Sequence, residues 1–148
     1  KEKSRVLRRK GLEEIMKTEP VFLTDKNRTV LLEALEGAAD AALPDCCRPF
    51  EPLSPNTAET PAAAGEKHLP VVETNGQKVT VKVGSIFHPM TEEHSIVWVS
   101  LSTKNGRTYR AQMAPGQEPS VHFTLEEGDA PQAAYAFCNL HGFWKTTV

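Results

Sequence analysis

The sequence predicts an all-β protein whose larger part is an antiparallel β-sandwich. Three observations carry that expectation. Beyond Gly65, seven short stretches of strand length follow one another within about 80 residues, the spacing of a sandwich. Several alternate in character: Val79, Val81 and Val83 share one face, while Lys78, Thr80 and Lys82 share the other. Turn signals separate them at Asn75-Gly76, Asn105-Gly106 and Pro115-Gly116, where Gly and Asn tolerate the positive φ of tight hairpins.

The elements follow in order. Residues 1–17 are a candidate short helix, with Val6, Leu7, Leu12, Ile15 and Met16 loosely at helical spacing and Gly11 weakening it. The stretch 22–35 reads two ways: Thr29-Val30-Leu31-Leu32 has strand character, and Glu33-Ala34-Leu35-Glu36 can continue as helix. Pro44, Pro49, Pro52, Pro55 and Pro61 make 44–65 a linker, because each removes a backbone donor. Strands are expected over 69–73, 77–83, 94–102, 108–113, 120–125, 133–137 and 143–147. Two domains result: a small N-terminal segment with linker, 1–55, and the sandwich, 56–148.

The chain of 148 residues, 39% apolar and with net charge -2, suits one ordinary domain with a small appendage. No stretch approaches the roughly 20 apolar residues that cross a bilayer. No apolar run follows the charged N-terminus, so the expected location is the cytoplasm. Three cysteines, two of them adjacent, exclude a disulfide framework. The near-neutral charge argues against nucleic acid. The basic cluster of Lys1, Lys3, Arg5, Arg8, Arg9 and Lys10 has no stacking aromatics around it and reads as a solvated end.

Chemistry concentrates in three places. His88-Pro89-Met90-Thr91-Glu92-Glu93-His94, Cys138-Asn139-Leu140-His141 and Glu66-Lys67-His68 gather four of the five histidines and one cysteine. A bend between Cys138 and His141 lets sulfur and imidazole reach one ion, with exposed N–H groups tuning the thiolate. Pro89 puts His88 on a loop; His94 and His68 are expected where loops enter strands. Five ligands exceed the four of a structural zinc site. His122, in an apolar run without a partner motif, reads as a surface residue or a satisfied buried one, and Met90 as packing. Imidazole suits zinc, copper, iron and nickel alike. A blue-copper site would leave two histidines unused and lacks its methionine after His141; four imidazoles with one thiolate favour iron with one position open.

These residues resemble the superoxide reductases, the neelaredoxin and desulfoferrodoxin family. The resemblance spans about Asn56 to Lys145. It rests on Gly65-Glu66-Lys67-His68-Leu69-Pro70-Val71, on Val83-Gly84-Ser85 leading into His88-Pro89-Met90 and Glu93-His94, and on Cys138-Asn139-Leu140-His141-Gly142-Phe143-Trp144-Lys145. It implies an immunoglobulin-like sandwich and one mononuclear iron. The implied ligands are His68, His88 and His94 through Nε2, His141 through Nδ1 and an axial Cys138. The implied reaction is one-electron reduction of superoxide to hydrogen peroxide, without release of dioxygen. Glu66 would take the sixth position of oxidised iron, on a hinge at Ala62-Ala63-Ala64-Gly65. Lys67 would attract the anion and order a proton-donating water.

The same resemblance sets expectations for the rest of the chain. Desulfoferrodoxins carry a rubredoxin-like iron held by a Cys-x-x-Cys pair and a later Cys-Cys pair. Cys46-Cys47 resembles the later pair, but Thr24-Asp25-Lys26-Asn27 stands where the first belongs. The N-terminal segment therefore reads as a degenerate desulforedoxin-like domain without a second iron. Rubredoxin or a similar small carrier is the implied electron donor; the implied assembly is a homodimer or tetramer, and the appended N-terminal segment favours the homodimer. The alternative function is a non-catalytic iron-binding or electron-transfer protein using the same site; a structural zinc module is disfavoured by the ligand number.

Overall fold

The computed structural model describes residues 20–34, 50–61 and 64–148. The helix expected over 1–17, the basic cluster, Cys46-Cys47 and the hinge residues Ala62 and Ala63 lie outside the described residues. The chain divides into two compact units between Ser54 and Pro55.

In the first unit, β1 (Val21–Asp25) lies between β2 (Leu31–Ala34) and β3 (Phe50–Pro52), all antiparallel. The ambiguous stretch is thus a hairpin, and Glu33 and Ala34 stay in the strand. Part of the expected linker is also a strand. Pro52 pairs with Leu23 on an edge, the place in a sheet where a missing N–H is tolerated. Asp25 organises the β1–β2 turn. Its carboxylate accepts N–H bonds from Asn27 at 3.2 Å, Thr29 at 2.6 Å and Val30 at 2.7 Å, and the Thr29 hydroxyl at 2.8 Å. These bonds, led by that from Val30, hold the Asp25 carboxyl below its ordinary range.

The second unit opens with a single helical turn, α1 (Gly65–His68), and continues as β4 (Pro70–Asn75), β5 (Lys78–Val83), β6 (Ile96–Thr103), β7 (Thr108–Gln112), β8 (Ser120–Thr124), β9 (Pro131–Cys138) and β10 (Gly142–Thr147). They form a three-stranded sheet, β4-β5-β8, and a four-stranded sheet, β10-β9-β6-β7. All neighbours are antiparallel, as the alternation predicts. Val79, Val81 and Val83 meet Ile96, Val99 and Leu101 in the core. The outer face of the four-stranded sheet is covered by aromatics: Tyr135 stacks on Phe143 at 5.5 Å, and Arg110 lies 5.7 Å over Trp98.

Two boundaries move, with identifiable causes. Strand β6 begins at Ile96 rather than His94, because Thr91 and His94 close a turn: Thr91 N–H donates to His94 O at 2.9 Å and His94 N–H to Thr91 Oγ1 at 3.1 Å. His68 ends α1 instead of a loop, since Lys67 N–H and Leu69 N–H bond back to Ala64 O and Gly65 O. No helix among the described residues is long and apolar enough to cross a membrane.

Candidate metal centre

Strand alternation aims the cysteine. Ala134, Ala136 and Cys138 lie at every second position of β9 and belong to the buried core. The chain then turns through Asn139, Leu140 and His141 and returns as β10, with Gly142 paired to Cys138. That turn points the N–H groups of His141, at 3.4 Å, and Leu140 toward the Cys138 Sγ. Burial pushes the Cys138 thiol up, and these two N–H groups oppose the shift.

Three further segments bring imidazoles to the same end of the sandwich. His68 arrives at the end of α1, His88 on the loop after β5, and His94 just before β6. His68 Nε2 lies 3.0 Å from His141 Nδ1 and 3.1 Å from His88 Nε2, while His94 Nε2 lies 3.1 Å from His141 Nδ1. The fourth side closes with the His88 and His94 rings 4.5 Å apart, against 6.2 Å across the diagonal from His68 to His94. Neighbouring rings stand at 71–82° to one another, so their edges point inward. A square with such sides has its centre about 2.1–2.2 Å from each corner, close to a metal–imidazole bond. The Cys138 Sγ stands 3.8 Å from His141 Nδ1, and all five donor atoms lie within 4.8 Å of one another.

Proton placement explains why these contacts are not a hydrogen-bond network. His68 donates Nδ1–H to Ala64 O at 2.8 Å, and His88 donates Nδ1–H to Pro89 O at 2.6 Å. A neutral imidazole has one proton, so each Nε2 presents a lone pair. Two lone pairs 3.1 Å apart repel unless a cation lies between them. Nor do the rings take up protons readily. Burial lowers the pKa of His68 and of His94, and that of His88 to about 4. Orientation by backbone carbonyls is how metal-binding histidines are commonly fixed. The donor set therefore fits one metal ion.

Several supporting residues escape a reading of the sequence. Trp144 stacks on the His68 ring at 4.6 Å and donates its indole N–H to His141 O at 3.1 Å. Asn56 locks that tryptophan: Asn56 N–H bonds Phe143 O, and Lys145 N–H bonds Asn56 O. Gly84, at φ +85, is where the loop to His88 meets α1. A Cβ there would come within 2.7 Å of Lys67 O and 2.8 Å of Glu66 O. Ser85 Oγ–H and Ile86 N–H both donate to that Glu66 carbonyl, at 3.2 and 3.1 Å. Ala64 adopts a left-handed conformation, φ 63, which turns its carbonyl to Lys67 N–H and to the His68 ring. Only the Gly-Ser pair carries a signal visible in sequence. The roles of Asn56 and of the Trp144 stack on His68 depend on partners remote in the chain.

Glu66 and Lys67 are exposed beside buried His68. The Lys67 charge contributes, after burial and His141, to lowering the His94 pKa. His122 lies away from the cluster on the outer face of β8, bonded through Nδ1 to Thr80 Oγ1 at 2.9 Å.

The family model described as desulfoferrodoxin matches residues 60–147. The chain belongs to the desulfoferrodoxin family. A desulfoferrodoxin of Syntrophotalea carbinolica is 41% identical over 117 residues, covering 78% of this chain and 86% of the relative. A superoxide reductase of Pyrococcus abyssi is 34% identical over 100 residues, covering 57% of this chain and 87% of its own. Among solved structures, the superoxide reductase of Treponema pallidum superposes with TM-score 0.70 at 36% identity, covering 87% of this chain and 98% of that one. The desulfoferrodoxin fold is thus shared across most of the sequence.

Proposed function

We propose that this desulfoferrodoxin-family chain is a superoxide reductase: one superoxide, one external electron and two protons give one hydrogen peroxide. The observation that carries the reading is the convergence of two carbonyl-fixed imidazole lone pairs, two further imidazoles and a thiol on one point. The likeness to the Treponema pallidum superoxide reductase supports it. The ligands would be His68, His88, His94, His141 and Cys138, whose donor atoms already lie together. Bound ferrous iron would supply the reducing electron and an open position for a small anion.

The protein's own groups do the rest. Lys67 holds a cation at the rim, where it attracts superoxide and orders a water for proton delivery. Glu66, next to it, offers a carboxylate that reaches inward after product leaves. The carbonyl of Glu66 is held by Ser85 and Ile86, so its side chain rotates on an anchored backbone. The N–H groups of Leu140 and His141 moderate the electron donation of Cys138.

The electron enters from a partner. Exposed Ile86, Phe87 and Leu140 sit within two residues of His88 or His141. So few side chains fall short of the roughly 800 Å² per partner of a lasting interface, which suits a transient carrier such as rubredoxin. A second iron is not part of the reading, since the stretch at Asp25 holds no cysteine and its carboxylate is already bonded. A homodimer is part of it, and light scattering checks it. A cytoplasmic location suits the free Cys138.

The test is stoichiometry. Iron-loaded, reduced protein mixed with superoxide should form one peroxide per superoxide consumed and no dioxygen. Dioxygen in the proportion of dismutation overturns the reading. Decay no faster than the spontaneous rate makes the chain a non-catalytic iron or electron-transfer protein.

A further inference from the structure

Strand β9 ends at Cys138, yet its pairing with the segment before β6 does not end there. Ser95 has two backbone groups to satisfy, and both go to residue 139. Its carbonyl accepts Asn139 N–H at 3.1 Å, and its N–H donates to the Asn139 Oδ1 at 3.0 Å. The Asn139 Nδ2 then donates to Glu93 O at 3.0 Å. The partners fix which way the amide faces, because a backbone N–H needs the oxygen and a carbonyl needs the nitrogen.

The carboxamide thus stands in for the next peptide group of the strand. A peptide group offers one carbonyl and one N–H in fixed relation, and so does this side chain. By continuing the ladder with its side chain, Asn139 releases its main chain to turn away. That turn is what brings the N–H groups of Leu140 and His141 to the Cys138 sulfur. Without a substitute, the chain would either extend the strand and carry His141 away or leave the Glu93–Ser95 backbone unpaired. Those backbone groups flank His94 on both sides.

We propose that Asn139 is a positioning residue of the metal centre, whose side-chain amide ties the His94 segment to the Cys138–His141 turn and so sets two ligand segments against each other. It touches neither ion nor substrate. This rests on the metal-site reading above but not on the identity of the metal or on reaction with superoxide. Residue type follows from the geometry. Asp retains the acceptor for Ser95 N–H but turns an oxygen toward Glu93 O. Ala loses both bonds. Ser is too short to span them.

Cobalt(II) titration of the metal-free protein, followed by its visible bands, supplies the test. Loss of a residue that orients metal ligands typically weakens binding about 10–100-fold. Asn139→Ala should show a loss of that order and a shifted sulfur-to-cobalt charge-transfer band, since the N–H groups facing the sulfur loosen. Asn139→Asp should fall between Ala and the parent, and it decides the matter should Asn139→Ala fail to fold. A role confined to folding would lower the melting temperature and leave affinity and band position unchanged in the folded variants. That result overturns the inference alone. A parent protein that takes up no cobalt overturns the metal reading, and this inference with it.

Discussion

A histidine that gives one ring proton to a carbonyl has a single lone pair left, and the fold decides where it points. His68 and His88 are both set this way, by Ala64 O and Pro89 O. Burial makes protonation an unfavourable escape from their mutual repulsion, most strongly at His88. Lys67 differs in being exposed, and in the proposed reading its charge attracts the anion. Lys67→Ala should slow the second-order reaction with superoxide by up to about tenfold at low ionic strength. The gap should close as salt is added, with iron content unchanged. Stopped-flow rates over a salt series measure this, and a salt-independent difference removes the steering role. The five donors were legible in sequence because their residue types are scarce and their spacing compact. The amide of Asn139 was not, since its partners Glu93 and Ser95 lie more than forty residues away.

Elements show the same division between local and remote causes. The hairpin of β4 and β5 is written locally: alternating valines and an Asn-Gly pair, with Gly76 at φ 59 in the turn. Strand β3 and the single turn α1 are written elsewhere. One depends on an edge of β1, the other on the carbonyl cradle that Gly84 leaves open. The β1–β2 turn is organised by a carboxylate, and that makes a prediction about acid. The Asp25 carboxyl is lowered below its ordinary 3.8, so its contribution is fully present above that value and is lost as pH falls through the depressed one. NMR titration of the Thr29 and Val30 amide shifts should give a midpoint below 3.8. A midpoint at or above it counts against the carboxylate as organiser. Asp25→Asn should abolish that titration.

At the scale of the whole molecule, the sandwich does not need the ion to hold its sheets together. Its core of Val79, Val81, Ile96 and Leu101 is complete, unlike a zinc finger whose ligands are its core. Chelation should therefore leave the far-ultraviolet β-sheet signal intact while lowering the melting temperature. At about 100 times its Kd a ligand stabilises by about 2.7 kcal/mol, a shift on the order of 10 °C for a unit this size. Circular dichroism on protein before and after chelation checks it, and global unfolding on metal removal contradicts it.

The Cys138 sulfur hangs from an inner strand of the four-stranded sheet, two positions from Ala136 and four from Ala134. Any repacking between the sheets that tilts β9 moves that sulfur, however far away it starts, and with it any metal the sulfur holds. The colour of the loaded protein is then a gauge of its interior. Engineering the hydrophobic layer and tuning a metal bound at this site become one task, because both pull on the same strand.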